Sequence, residues 1–339
     1  MFLKKDMVYV YKKPVGNKNY YYLRASEKKG KKLITKDIAY LGGSIVEVKK
    51  NLDKLSEYKN QIRKSYRTIN SFLESNYFLE MVKKLKLKKD QFLKDRTDEV
   101  EACKLHHTSV FNRLDQLTKE EIFRNYVIEF AYNTASIEGN TINLEEARNL
   151  LDEGITPKNK TLREIYDLQN TEKVFSELLR KKLKDDFNHE TIIKIHDKLL
   201  ENIDNRKWYR TTDIRVIRSN FDASPGKYVK TDMDLLLRWF NGNKEKIHPL
   251  VLAIIFHHKF EKIHPFMDGN GRTGRMIMNL ILINNNLPPT IIHKKTRKEY
   301  LDVMREADES DLWKINGKYS NLISYGVDEF IETYWNLFL

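Results

Sequence analysis

Through its first forty residues the chain alternates short runs of β-branched and aromatic residues with turn-forming ones. Val8 to Tyr11, Tyr20 to Leu23 and Leu33 to Leu41 are the runs, and Pro14-Val15-Gly16-Asn17 and Lys28-Lys29-Gly30 separate them. The pattern predicts a small β-meander that ends at Gly42-Gly43. Ser44-Ile45-Val46-Glu47 then has the form of a capping box, in which a serine oxygen and a glutamate satisfy the first free amides of a helix. From Ile45 to about Glu101 apolar residues recur at helical spacings in a lysine-rich background (Val48, Leu52, Leu55; Tyr77, Met81, Leu85), as in long helices with one buried stripe. Beyond His106 glycine and proline become sparse and helical periodicity dominates to the C-terminus. One stretch breaks it: Asp213-Ile214-Arg215-Val216-Ile217-Arg218 alternates polar and apolar ahead of Pro225-Gly226, the pattern of a strand or hairpin set into helices. The expected organisation is a β-meander unit over residues 1–43, a connecting helical region over 44–105 and a mainly α domain over 106–339.

Charge sharpens this division. Residues 1–100 carry 25 Lys and Arg against 12 Asp and Glu, and the other 239 residues carry 36 of each. The excess of +13 therefore belongs wholly to the N-terminal part. Lysines and tyrosines on a small sheet suit phosphate contacts and base stacking, but a solvated basic face over an ordinary β core has the same composition. Both readings stay open here. The N-terminus lacks the apolar stretch and cleavage site of a signal peptide, and no apolar run approaches the ~18 residues of a membrane span. With a single cysteine, Cys103, and 32% charged residues, the chain reads as a cytoplasmic protein without a membrane partner.

The candidate chemistry is concentrated between two apolar helical segments. His248-Pro249 opens the first, with proline at the first helical position, and Met276 to Ile283 continues the second. Between them runs Ile263-His264-Pro265-Phe266-Met267-Asp268-Gly269-Asn270-Gly271-Arg272-Thr273-Gly274-Arg275. Two glycines flank an asparagine where a helix begins, so bare amides and the positive end of the helix dipole converge on a site for an anion. Arg272 and Arg275 add guanidinium groups suited to phosphate, and Asp268 is the loop's one carboxylate, placed for a hard cation such as Mg²⁺. His264, with an ordinary pKa near ~6.5, can take a proton from a hydroxyl at neutral pH.

His264 to Arg275 resembles the Fic-family signature His-x-Phe-x-Asp/Glu-Gly-Asn-Gly-Arg-x-x-Arg at every fixed position, and the resemblance extends from about residue 110 to the end. It implies a helical core with a short β-hairpin flap, preceded here by the meander and connecting helices. The implied activity is transfer of AMP from MgATP to a Ser, Thr or Tyr hydroxyl of a protein, with ATP as substrate and Mg²⁺ as cofactor. By position it implies His264 as general base, Phe266 as loop anchor and Asp268 as Mg²⁺ ligand. Gly269, Asn270 and Gly271 would line the anion hole, with Arg272 on the β-phosphate and Arg275 on the γ-phosphate. Gly271 separates the chain from the Doc-like branch, which carries lysine near that position and acts as a kinase.

Thr134-Ala135-Ser136-Ile137-Glu138-Gly139 resembles the family's inhibitory motif. Thr134 and Glu138 stand one turn apart on a helix expected near 124–139, and a Glu138 to Arg275 pair would force ATP into an unproductive pose. The stretch containing Ile214, Arg215, Val216 and Ile217 falls where the family places a flap that grips the target by strand pairing. The target protein, which can be the chain itself, and the oligomeric state are not specified. Transfer of another nucleotide, removal of AMP from a target, and a nucleic-acid-associated regulator whose Fic domain senses nucleotide are the alternatives. His257-His258 invites a metal reading, but adjacent residues point to different sides of a helix and no Glu or Cys completes a ligand set.

Overall fold

The computed structural model describes residues 7–16, 18–29, 32–180, 187–214, 223–310, 315 and 317–339. The fold is mainly α, with a three-stranded antiparallel sheet at the N-terminus, and it divides into two compact units. The first comprises residues 1–87 with 101–105 and Leu339, and the second residues 88–100 and 106–338.

In the first unit β1 (Met7–Val15), β2 (Lys18–Lys29) and β3 (Lys32–Gly42) pair in sequence order. The strands run longer than their β-rich runs. Val15 pairs with Lys18, so only two residues connect β1 to β2, and Gly16 takes φ +58°, which glycine adopts without steric cost. Pro14, read from sequence as part of the turn, lies within β1. That strand is an edge of the sheet, where a missing N–H removes no interior ladder bond.

Alternation along the strands sends Val8, Val10, Tyr21, Leu23 and Leu41 to one face, where they are buried with Ile45, Val48 and Leu52 of α1 (Ile45–Leu52). Ile69 and Leu73 of α3 (Tyr66–Leu85), which follows the short α2 (Lys59–Lys64), complete this core. Ser44 accepts from the Glu47 amide, while the Glu47 carboxylate reaches the amide of Gly43 rather than that of Ser44. The apolar face of the sheet is thus covered by the first helices, with which it shares one core.

The second unit holds α5 (Gln116–Ile137), α6 (Leu144–Glu153), α7 (Leu162–Arg180), α8 (His189–Leu199), α9 (Val229–Asn243), α10 (Pro249–Ile263), α11 (Asn270–Asn284), α12 (Arg297–Asp308) and α13 (Ser320–Leu337). Helix α4 (Thr97–Ser109) contributes residues to both units. Helices α10 and α11 are buried on nearly every side, which is why Leu250 to Phe256 and Met276 to Met278 run apolar without a polar face. They pack against each other, with α8, α9 and α13 around them. No described helix is long and apolar enough to cross a membrane. Of the expected flap, Ile214 lies in an irregular segment, and Arg215, Val216 and Ile217 fall outside the described residues.

Candidate active site

Pro249 at the first turn and the His248 ring, which accepts from the Leu250 amide at 3.2 Å, start α10, and a buried apolar run carries it to Ile263. His264 ends it in the left-handed region at φ 52°, and Gly269 precedes α11 at φ 72°. Two left-handed residues thus bracket the loop, and only the second is a glycine.

Its shape is fixed from inside. The Asn270 side chain accepts from the Phe266 amide at 2.9 Å and donates to the Phe266 carbonyl at 2.8 Å. Phe266 is fully buried and stacks on the His196 ring at 3.6 Å, and His196 Nε2 donates to the Asp268 carbonyl at 3.1 Å. Burial pushes the His196 pKa down, so the ring stays neutral with its proton on Nε2.

Arg210 supports the loop from behind. Its guanidinium donates to the carbonyls of His264 (2.8 Å), Thr212 (2.8 Å), Ser224 (2.6 Å) and Ile263 (3.2 Å), and its amide donates to the Pro265 carbonyl at 2.9 Å. Three of these five bonds tie the segment after Trp208 to the turn that carries His264, and the other two hold Thr212 and Ser224 beside it. Neither Arg210 nor His196 stands near the loop in sequence.

The loop faces a cavity of about 520 Å³ lined by Glu138, Glu261, His264, Asp268, Gly269, Asn270, Gly271 and Arg275, and also by Arg297, Tyr300 and Arg305. Thr134 is not among the lining residues but bonds Arg275, which is. Arg275 is almost wholly buried; its Nε donates to Thr134 Oγ1 at 2.6 Å, and one terminal nitrogen donates to the Thr134 carbonyl at 3.1 Å and to Glu138 Oε1 at 2.7 Å. Helix α5 places Thr134 and Glu138 one turn apart, so both meet the same guanidinium. The Glu138 side chain is 43% accessible, and that surface opens into the cavity it lines. A Cβ placed on Gly271 would fall 2.0 Å from Glu138 Oε1, so the carboxylate rests directly on the start of α11. It occupies the position at a helix N-terminus that favours an anion.

Asp268 points one carboxylate oxygen at its neighbouring Gly269 amide, at 2.7 Å, and pairs through the other with Arg163 of α7. Arg272 behaves differently from its neighbours. Its side chain is 3% exposed and pairs with Asp167, with Asp268 further off at 4.0 Å, and it is not among the cavity-lining residues. His257 and His258 point apart within the core, the first to the Tyr300 hydroxyl (2.8 Å) and the second to Asp308 (2.9 Å) and Tyr319 (3.1 Å).

Electrostatics sort the titratable groups. Burial pushes the His264 pKa down, and Arg210 adds to that effect, so at neutral pH the imidazole is a proton acceptor. Burial alone would raise Glu138, but Arg275, with Arg272 and His264 behind it, outweighs it and holds the carboxyl below its ordinary range. Glu261, on the last turn of α10, goes the other way. Burial and the nearby Glu138 charge push it up to about 8 against the pull of Arg275, and its Oε1 has no hydrogen-bond partner among the described residues.

A stability prediction follows from Glu261. Between the ordinary carboxyl range and about pH 8 the folded protein holds a proton that the unfolded chain has released, so this group's contribution falls as pH rises. Glu261→Gln keeps the shape and has no proton to lose. Its melting temperature should therefore gain on wild type steadily from about pH 5 to about pH 8. A difference that stays flat over that range would contradict a buried protonated carboxyl.

The site is thus a glycine-rich loop clamped between two buried helices of a helical domain, with a histidine before it and arginines on the following helix. Residues 186–282 match the Fic/DOC family, and the chain carries a domain of that family. Among curated relatives, protein adenylyltransferase fic-1 of Caenorhabditis elegans is 31% identical over 207 residues, 60% of this chain and 41% of the relative. Protein adenylyltransferase Fic of Drosophila persimilis is 30% identical over 243 residues, 69% of this chain and 44% of the relative. The chain thus spans less than half the length of these relatives. A solved fragment of Fic-1 from C. elegans superimposes with a TM-score of 0.58 at 25% identity, covering 86% of this chain and 81% of that one. A Fic-domain-containing signaling protein from Bacteroides thetaiotaomicron shares the fold, with a TM-score of 0.62 at 20% identity over 69% of this chain and 94% of the other.

Proposed function

We propose that the chain is a protein adenylyltransferase that is held back by Glu138. The observation that carries this reading is the convergence of His264, Asp268, Gly271, Arg275 and Glu138 on one cavity. The family match and the names of the curated relatives point the same way.

In this reading His264 removes the proton from a Ser, Thr or Tyr hydroxyl of the target. The hydroxyl oxygen attacks the α-phosphorus of ATP, the bond from that phosphorus to the bridging oxygen breaks, and pyrophosphate leaves. The amides at the start of α11 and the helix dipole stabilise the phosphate charge, and Arg275 receives the terminal phosphate. Arg272 acts less directly, through its pair with Asp167, by fixing the first turn of α11.

Asp268 fits a magnesium site: its carboxylate borders the cavity, its loop is held by Asn270 and His196, and Arg163 is an exposed partner that it can exchange. Bound there with the nucleotide, Mg²⁺ would neutralise phosphate charge.

Glu138 opposes all of this by occupying the anion position over Gly271 and engaging the arginine meant for the terminal phosphate. The residues around Ile214, Arg215, Val216 and Ile217 would position the target as a flap over the cavity, by strand pairing.

The test compares ATP labelled on the α-phosphate with ATP labelled on the γ-phosphate, incubated with Glu138→Gly and an extract of cellular proteins. Stable labelling of protein by the α-label alone is expected. Labelling by the γ-label would make the chain a kinase, and labelling by neither would sink the reading.

A further inference from the structure

The N-terminal sheet has a second face that its own core does not use. The strand period places Tyr9, Tyr11 and Lys13 of β1 opposite Arg24, Tyr22 and Tyr20 of β2, and Tyr22 and Arg24 in turn pair with Tyr40 and Asp37 of β3. These residues alternate with the buried Val8, Val10, Tyr21, Leu23 and Leu41, so they stand on the opposite face. Five of the chain's 18 tyrosines are gathered there.

Three of them, Tyr20, Tyr22 and Tyr40, form one aromatic cluster. The Tyr22 and Tyr40 rings lie 5.4 Å apart, Tyr20 and Tyr40 lie 6.4 Å apart, and the Arg24 guanidinium covers the Tyr11 ring at 3.5 Å. Tyr40 is 55% exposed, and Lys13 stands exposed beside Tyr20. The one acidic side chain among the described residues of this face, Asp37, is paired with Arg24 at 2.6 Å. Residues 1–87 as a whole carry 21 Lys and Arg against 8 Asp and Glu.

We propose that this tyrosine face is a binding site for single-stranded nucleic acid, its bases stacking on the exposed rings and its phosphates meeting the surrounding lysines and arginine. Charge names an anionic partner. The rings narrow the choice, because an acidic peptide would be served by lysines alone, while unpaired bases have faces to stack and duplex bases are already stacked on each other. The spread of rings over three strands suits a few successive nucleotides, the arrangement of stacking platforms on other β-sheets. RNA and DNA present the same phosphates and bases to such a face, and they differ in the 2′-hydroxyl. The proposal stands apart from the catalytic reading, since it uses no residue of the cavity.

The experiment measures fluorescence anisotropy of the full chain with labelled oligo(U) and oligo(dT) of about 12 nucleotides, with a duplex of the same length, and with an oligoglutamate. Single strands are expected to bind more tightly than duplex or oligoglutamate, and affinity should fall steeply as salt rises. Tyr40→Phe should bind as wild type does, whereas Tyr40→Thr and Tyr22→Thr should each weaken binding about tenfold. Threonine keeps β propensity at these positions, and an unchanged melting curve shows that the sheet is intact. Preference for oligo(U) over oligo(dT), or the reverse, assigns the natural strand. Binding of oligoglutamate or duplex as tightly as single strands would overturn the proposal. So would single-strand affinity that is absent, or that survives loss of both rings. If the threonine variants unfold, Lys13→Glu decides: unchanged affinity and salt dependence would overturn it.

Discussion

Replacing Glu138 with glycine is expected to raise incorporation of AMP into protein roughly 30- to 150-fold, the factor for a closed-state preference of about 2 to 3 kcal/mol. The structure identifies what the substitution releases. Arg275 is buried and holds three bonds toward α5, two to Thr134 and one to Glu138. Removing the carboxylate leaves the two bonds to Thr134, which keep the guanidinium aimed at the cavity, and frees the nitrogen that Glu138 occupied. It also clears the oxygen that sits over Gly271. The same change leaves a buried cation with less compensation, so Glu138→Gly should melt below wild type without nucleotide and recover when ATP supplies the missing negative charge. Radiolabel from α-labelled ATP and melting curves with and without nucleotide read the two effects at equal protein concentration. Equal incorporation by wild type and Glu138→Gly would remove the inhibitory role.

The parts of this site that are legible in sequence are those whose chemistry is local. Glycines around Asn270, a histidine six residues before that asparagine and arginines after it imply a loop at a helix start, and all lie within one turn-and-helix segment. What supports the loop comes from afar. Arg210 and His196 reach it from 54 and 72 residues away, and Asp167 reaches Arg272 from 105. No local pattern encodes such partners, because what they satisfy is a carbonyl or a guanidinium exposed only once the chain has folded.

Asn270 shows a related limit. Its place between two glycines does not say what its side chain does, and that side-chain amide bonds both main-chain groups of Phe266, which braces the loop. Glu261 shows another. Nothing local in sequence marks it, and only the packing around it and the nearby Glu138 raise its pKa. The β-meander was visible through its alternation, whereas its shared core with α1 and α3 was not, since one stripe of apolar residues does not say which surface covers it.

His264→Ala is expected to lower transfer in the Glu138→Gly background by a factor of ~10² to 10⁴, the usual effect of losing a general base. The position suits that role on three counts. His264 is the residue at which α10 stops, its left-handed backbone turns the side chain from the helix into the cavity, and Arg210 holds its carbonyl in place. Its pKa is pushed down by burial, so the neutral, proton-accepting form persists to lower pH than in free histidine. The sign is therefore that activity of Glu138→Gly should be retained as pH drops below the ordinary histidine range and fall only in more acid solution. Because the histidine acts on the incoming hydroxyl and not on the phosphates, the double variant should still bind ATP and gain melting temperature from it, as Glu138→Gly does. Binding lost together with transfer would mean that the ring holds the loop together and is not the base. Transfer at an undiminished rate would place the base elsewhere.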